Sequence, residues 1–235
     1  MNLGPELPSE QRPGGVAPTS PAGVRTWMLL TLVLTLAFGA YSGSLNFEFV
    51  HNDRGQIVDN PAVHSWDYVR QYFTAHVWAH VDPKETGNYY RPLFLLWLRF
   101  NHMLFGLHPW RWHLSTILVH LGVTLCVYFL ACRILKERLT AILAAILFGV
   151  HPVHIEAVAW VSGVTEPLLG VLFISSFLCY LRALESRETA RRWIGLSLVL
   201  FALALLEKET AIMLPALAFA YEWIYWEGVQ TSQIW

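Results

Sequence analysis

The chain has 235 residues, of which 55% are hydrophobic and only 14% charged. A soluble globular domain carries roughly 25% charged residues, and a disordered chain needs low hydrophobicity with high net charge, so both classes are excluded and a multi-span membrane protein is the working class. Sixteen basic against seventeen acidic residues leave a net charge of −1, which provides no overall field for nucleic acid.

Residues 1–23 are rich in Pro, Gly and Ser without an apolar period, the composition of a disordered head. They are not a signal peptide, because the apolar run comes too late. A bilayer core of roughly 30 Å needs about 20 helical residues. Six apolar stretches are predicted as spans: 26–46, 113–132, a short 139–150 stopped by His151-Pro152, 166–184, 193–206 and 210–226. Glu207-Lys208-Glu209 reads as a tight turn between the last two. Placing Arg25 in the cytoplasm also places the basic segments 133–138 and 185–192 there, in agreement with the positive-inside rule. The expected organisation is a cytoplasmic head, 1–23, and one helical membrane domain, 24–235, with segments 47–112, 151–165 and 207–209 outside. Eleven tryptophans suit membrane interfaces. Cys126, Cys132 and Cys179 sit in apolar stretches as small core residues, not as a disulfide framework.

The outer loop 47–112 is too long to be a plain connection, since loops beyond about 15 residues are usually functional or disordered. Within it, 66–78 shows helical spacing of apolar groups. Residues 92–105 begin with Pro at a first helical position. Two helices at the outer membrane face are predicted.

Ionisable residues beside membrane helices are functional candidates by default, and four clusters stand out on the outer side. In His51-Asn52-Asp53-Arg54, Asp53 is either a general base or metal-holding carboxylate or a solvated loop residue capping the next helix. His151 and His154 are three apart, on one face if helical, with Glu156 two further on. They suit a divalent cation such as Mg or Mn, although no HExxH or zinc spacing is present; the plain reading is an interfacial turn broken by Pro152. Glu166 opens the fourth span, where a carboxylate suits the helix dipole. Arg91 either grips a phosphate in bidentate fashion or snorkels. Lys208 either belongs to a turn or aims a point charge at a lipid phosphate. His108, His113 and His120 read as interfacial or helix-packed.

The strings FEFVHNDRGQIVDNP, YYRPL, FNHMLFGLHPWRWHLSTILVHL, HPVHIEAVAWVSGVTE and LLEKETAIMLP, in that order, resemble the amino-terminal membrane half of the tetratricopeptide-containing transmembrane O-mannosyltransferases and their bacterial relatives. The resemblance covers residues 26–226. It implies an all-α membrane fold of the GT-C class of glycosyltransferases. It also implies a polyprenyl-phosphate sugar donor, usually of mannose, a protein Ser or Thr hydroxyl as acceptor, and inversion at the anomeric carbon. Carried onto this sequence, Asp53 is the base, with Glu156 or His154 orienting it or the acceptor. Arg91 and Lys208 meet the donor phosphate, and His151, His154 and Glu166 line the substrate side. The setting is an endoplasmic-reticulum or bacterial cytoplasmic membrane, with membrane lipid as a further partner.

Two positions depart from the family pattern. The family has two acidic residues after an aromatic where this chain has Asn52 and Asp53 after His51, and an arginine where it has Val164. The family also continues into further spans and helical repeats, so the resemblance implies an amino-terminal part of a longer protein. A second reading, a non-catalytic membrane binding or assembly protein on the same scaffold, draws on Asn52 and Val164. A third, a transporter or channel, is opposed by the placing of the polar clusters at one face rather than near the bilayer midplane.

Overall fold

The computed structural model describes residues 22–82, 89–185 and 187–231. The expected head lies outside the described residues except at its last two positions, which already belong to the first helix. All regular elements among the described residues are helical, and they include α1 (Ala22–Tyr41), α2 (Pro61–His64), α3 (Val69–Tyr72), α4 (Pro92–Phe105) and α5 (Pro109–Leu135). They continue with α6 (Arg138–Val150), α7 (Ile155–Ala159), α8 (Thr165–Glu185), α9 (Ala190–Glu207) and α10 (Leu214–Thr231).

Long α5 is the hub, packed on α1, α6 and α8, while α8 runs against α9 as a hairpin. Close approach is set by small residues, as expected where lipid gives no hydrophobic drive between helices. A Cβ on Gly170 of α8 would lie 2.8 Å from Val123 Cγ2 of α5. Between α8 and α9 the hydroxyls of Ser176 and Ser197 each donate to the other residue's carbonyl, at 2.7 and 2.8 Å.

Three segments are long and apolar enough to cross a membrane, Thr26–Asn46, Pro109–Leu135 and Val161–Glu185. Arg138–Val150 with Pro152–Ala159 makes a fourth if the two, bent by 43°, form one broken span. The bend falls at Pro152, which removes a helical donor. The two remaining predicted spans are helices but fall short of the same criteria. In α9 the reason is charge, with Arg191 and Arg192 at one end and Glu207 at the other. The last helix starts later than expected, at Leu214, because residues Glu209–Met213 form a 3₁₀ turn.

In the first loop, α4 matches the expected 92–105. The expected helix over 66–78 is broken: a 3₁₀ turn at Trp66–Tyr68 leads into the single turn of α3, followed by non-helical turns. The apolar residues are spent on a compact core instead of one amphipathic face. Tyr72 is buried and its hydroxyl donates to the Ala62 carbonyl at 2.6 Å. Ile57, Val63, Leu98 and Trp112 complete that core, which fastens the loop onto α4 and the start of α5.

Candidate active site

The first wall of the site is made by the chain leaving α1. His51 adopts a left-handed conformation, φ 48°, which is uncommon for a residue with a side chain. Beyond this turn, Asp53 is fully buried and Asn52 is exposed. The Asp53 carboxylate accepts the Ser162 N–H at 2.9 Å and the Ser162 hydroxyl at 2.5 Å through Oδ1, and the Val50 N–H at 3.2 Å through Oδ2. Hydrogen bonds to an ionised acceptor are the stronger kind. Asp53 therefore ties the first loop to the loop before α8, and is neither a solvated loop carboxylate nor a wall of the cavity described below.

The second wall is the loop after α6. A 3₁₀ turn at Pro152–His154 leads into α7, and a second at Val161–Val164 leads into α8. The loop folds back tightly at Gly163, where a Cβ would sit 2.6 Å from the Glu156 carbonyl oxygen. That contact fixes the end of the loop against the backbone that carries Glu156. His151 and His154 face elsewhere than the cavity. The His151 carbonyl accepts the Tyr41 hydroxyl at 2.6 Å, and its Nδ1 accepts the Val153 N–H at 3.1 Å. The His154 ring packs on Phe148 at 4.4 Å and lies 5.3 Å from His120. Burial, and then the neighbouring His151, push the His154 pKa below its usual value. The His151 backbone ties the second loop to α1, its ring caps the turn that follows, and the His154 ring packs the loop on α6 and α5.

The third wall carries the charge. Arg91, just before α4, lies 5.1 Å over the Tyr89 ring and 3.9 Å from the Glu209 carboxylate. Its Nε is buried without a partner among the described residues. Lys208 is ion-paired with Glu166 at the start of α8. Glu207, expected in a tight turn between two spans, is fully buried as the last residue of α9.

These walls enclose a cavity of about 470 Å³. Glu156, Glu166 and Arg91 reach it beside the rings of Trp78, Tyr89, Phe94 and Trp160, the amides of Asn52 and Gln56, and Ser162 and Thr165. The Trp160 indole N–H and the Gln56 carbonyl oxygen are buried and unpaired among the described residues. Of the residues singled out in sequence, the fold thus gathers Arg91, Glu156 and Glu166, with Lys208 attached through Glu166. Asp53 stands behind the wall, and His151 and His154 lie outside it. Gln56 and the tryptophans were not foreseen. Gln56 follows Asn52 by four residues, the spacing that brings side chains to one face of a helical turn. Among the described residues no three His, Cys, Asp or Glu side chains form a group able to hold a metal ion.

The family model described as dolichyl-phosphate-mannose-protein mannosyltransferase matches residues 90–234. That range is more than half of the chain and holds the second and third walls. The chain belongs to this family. Protein O-mannosyl-transferase TMTC1 of Homo sapiens is 34% identical over 230 residues, which is 93% of this chain and 25% of the relative. Protein O-mannosyl-transferase TMTC3 of Homo sapiens is 31% identical over 82% of this chain and 21% of its own length. Protein O-mannosyl-transferase Tmtc2 of Drosophila melanogaster is 35% identical over 76% of this chain and 20% of its own. The chain spans a quarter or less of the length of these curated relatives. No solved structure matches it. The all-α membrane architecture implied by the resemblance agrees with the family and with the long apolar helices.

Proposed function

We propose that this chain carries the site of a mannosyltransferase that moves mannose from a polyprenyl-phosphate donor to a Ser or Thr hydroxyl of a protein. The supporting observation is the meeting of Arg91, Glu156 and Glu166 on one aromatic-lined cavity in a member of a mannosyltransferase family. The aromatic rings suit the apolar face of a sugar, and the long apolar helices suit a prenyl tail. The acceptor oxygen attacks the anomeric carbon from the face opposite the phosphate. The bond from that carbon to the phosphate oxygen breaks, its electron pair leaves with the phosphate, and the anomeric centre inverts. The leaving phosphate gains charge and needs a cation aimed at it, which we assign to Arg91 and Lys208, with Glu166 orienting Lys208. The hydroxyl proton needs a carboxylate within hydrogen-bond reach. The resemblance gives this role to Asp53, which does not face the cavity, whereas Glu156 does; the proton is assigned to Glu156 and a positioning role to Asp53. His151 and His154 act by holding the second loop. The protein is placed as a multi-pass protein of an endoplasmic-reticulum or bacterial cytoplasmic membrane, its amino terminus cytoplasmic and the site outside.

The test is transfer of labelled mannose from a polyprenyl-phosphate mannose to a Ser/Thr peptide, in membranes containing the chain, beside Glu156→Gln. Transfer that falls at least tenfold in the variant supports the assignment; undiminished transfer removes it. The second reading, a non-catalytic binding protein on this scaffold, is favoured by one observation: the amide of Asn52, not a carboxylate, faces the cavity from the first loop. If that reading holds, the wild-type chain transfers nothing while still binding the donor.

A further inference from the structure

Glu207 has no role in the mechanism above, and its surroundings are unusual. It is fully buried, yet neither carboxyl oxygen has a hydrogen-bond partner among the described residues. It ends α9, one residue beyond the apolar run, and the next residue turns away with extended backbone, φ −156°. The charged groups that act on it come from each neighbouring element: Arg91 ahead of α4, Glu166 from α8, and Lys208 from its own turn. Glu209 in the same turn pairs at long range with Arg91. Arg91 is correspondingly unsaturated: among the described residues its buried Nε has no partner and its one carboxylate contact is at 3.9 Å.

We infer that Glu207 is a positioning residue of the anion-binding cluster: as a neutral acid it adds no third carboxylate to compete with a phosphate for Arg91 and Lys208, and as a carboxylate it does. This rests on the reading of Arg91 and Lys208 as the donor phosphate site and goes further, naming what sets their charge. With Glu207 neutral, two cations face two partly exposed carboxylates, Glu166 and Glu209, and the cluster accepts a monoanion. With Glu207 ionised, the cluster is already negative and repels one. An unpaired charge in a dry site is expensive, so a group in that position takes up a proton instead. Burial, reinforced by Glu166 against the pull of Arg91 and Lys208, raises the Glu207 pKa to about 8.

Two measurements on the whole chain in detergent decide this. The first is an infrared titration, wild type minus Glu207→Gln. A carboxylic-acid carbonyl band present near neutral pH and lost as the pH rises through about 8 supports the inference; a carboxylate signature throughout overturns it, whatever becomes of the phosphate reading. The second is binding of a short-chain polyprenyl phosphomannose, a phosphodiester that does not titrate in this range. Wild-type binding is expected to weaken ~tenfold between about pH 7 and about pH 9, while Glu207→Gln, an uncharged mimic of the acid, binds throughout with less than about a twofold change. A merely structural Glu207 would not give the variant a flatter pH profile. Equal profiles in the two proteins overturn the inference while leaving the phosphate site standing. Absence of binding in both, with the carbonyl band present, overturns the phosphate reading and the inference with it.

Discussion

The α8–α9 hairpin and the loop end of the bundle handle buried polar groups in opposite ways. In the hairpin, Ser176 and Ser197 satisfy one another by reciprocal hydrogen bonds, and no side-chain atom inside α8 is left buried and unpaired. At the loop end the orphans collect: Gln56, Arg91, the Trp160 indole and both oxygens of Glu207. Every buried unpaired side-chain atom among the described residues lies in the first loop, the first two turns of α5, the loop before α8 or the end of α9. Native interiors leave few such groups, and each calls for an explanation. On the proposed reading, the hairpin's polar groups serve the fold and those of the loop end are kept for a ligand.

The contrast can be broken most forcefully at Asp53. Asp53→Ala leaves the Ser162 N–H and hydroxyl buried without their acceptor and uncouples the first two walls. A loss of about 3 kcal/mol or more is expected, read as a lower thermal midpoint together with lost donor binding. A change of comparable size, opposite in sign, is expected at Glu207. The unfolded carboxyl titrates near 4.5 and the folded one near 8, so the folded chain must retain a proton that the unfolded chain releases. The stability associated with that proton is intact below the unfolded value and is lost as pH rises towards the folded one. Glu207→Gln should therefore stabilise the chain, by little near pH 5 and by a few kcal/mol near pH 8, as shown by thermal unfolding across that range.

Gly163→Ala sharpens the comparison from the packing side. Its Cβ meets the Glu156 carbonyl, which is backbone and cannot swing away, so a cost of about 1–3 kcal/mol is expected, with transfer reduced along with stability. The smallest effect belongs to the self-satisfied region. Ser176→Ala should cost about 0.6–1 kcal/mol by the same unfolding assay and leave donor affinity unchanged. A loss of donor binding in this variant would erase the distinction between the two regions.

Much of the architecture was legible in the sequence because apolar runs and prolines act locally. Helix α4 runs over the predicted 92–105, and the bend after α6 falls at the predicted His151-Pro152. The helix expected over 66–78 was not, because its aromatic spacing serves a tertiary core around Tyr72 that no local pattern reveals. For the site, residue type identified Arg91, Glu156 and Glu166, since charges beside membrane helices are rare enough to stand out. Burial was the illegible quantity. Asp53 and Asn52 are neighbours in sequence, yet the first is buried against the loop before α8 and the second is exposed. Glu207 and Glu209 look alike in a charged triplet, yet one is buried and the other exposed, because the helix ends between them.

The most direct test compares the loop-end cation Arg91 with a cation at the opposite end of the bundle. The chain in detergent is titrated with a short-chain polyprenyl phosphomannose and followed by tryptophan fluorescence, for wild type, Arg91→Gln and Arg133→Gln. Arg133 is already ion-paired with Glu185 at the opposite end of the bundle. Binding weakened ~tenfold or more in Arg91→Gln, the loss expected for one charged hydrogen-bonding partner, with Arg133→Gln unchanged, is the predicted result. Equal affinity in Arg91→Gln and wild type would contradict it.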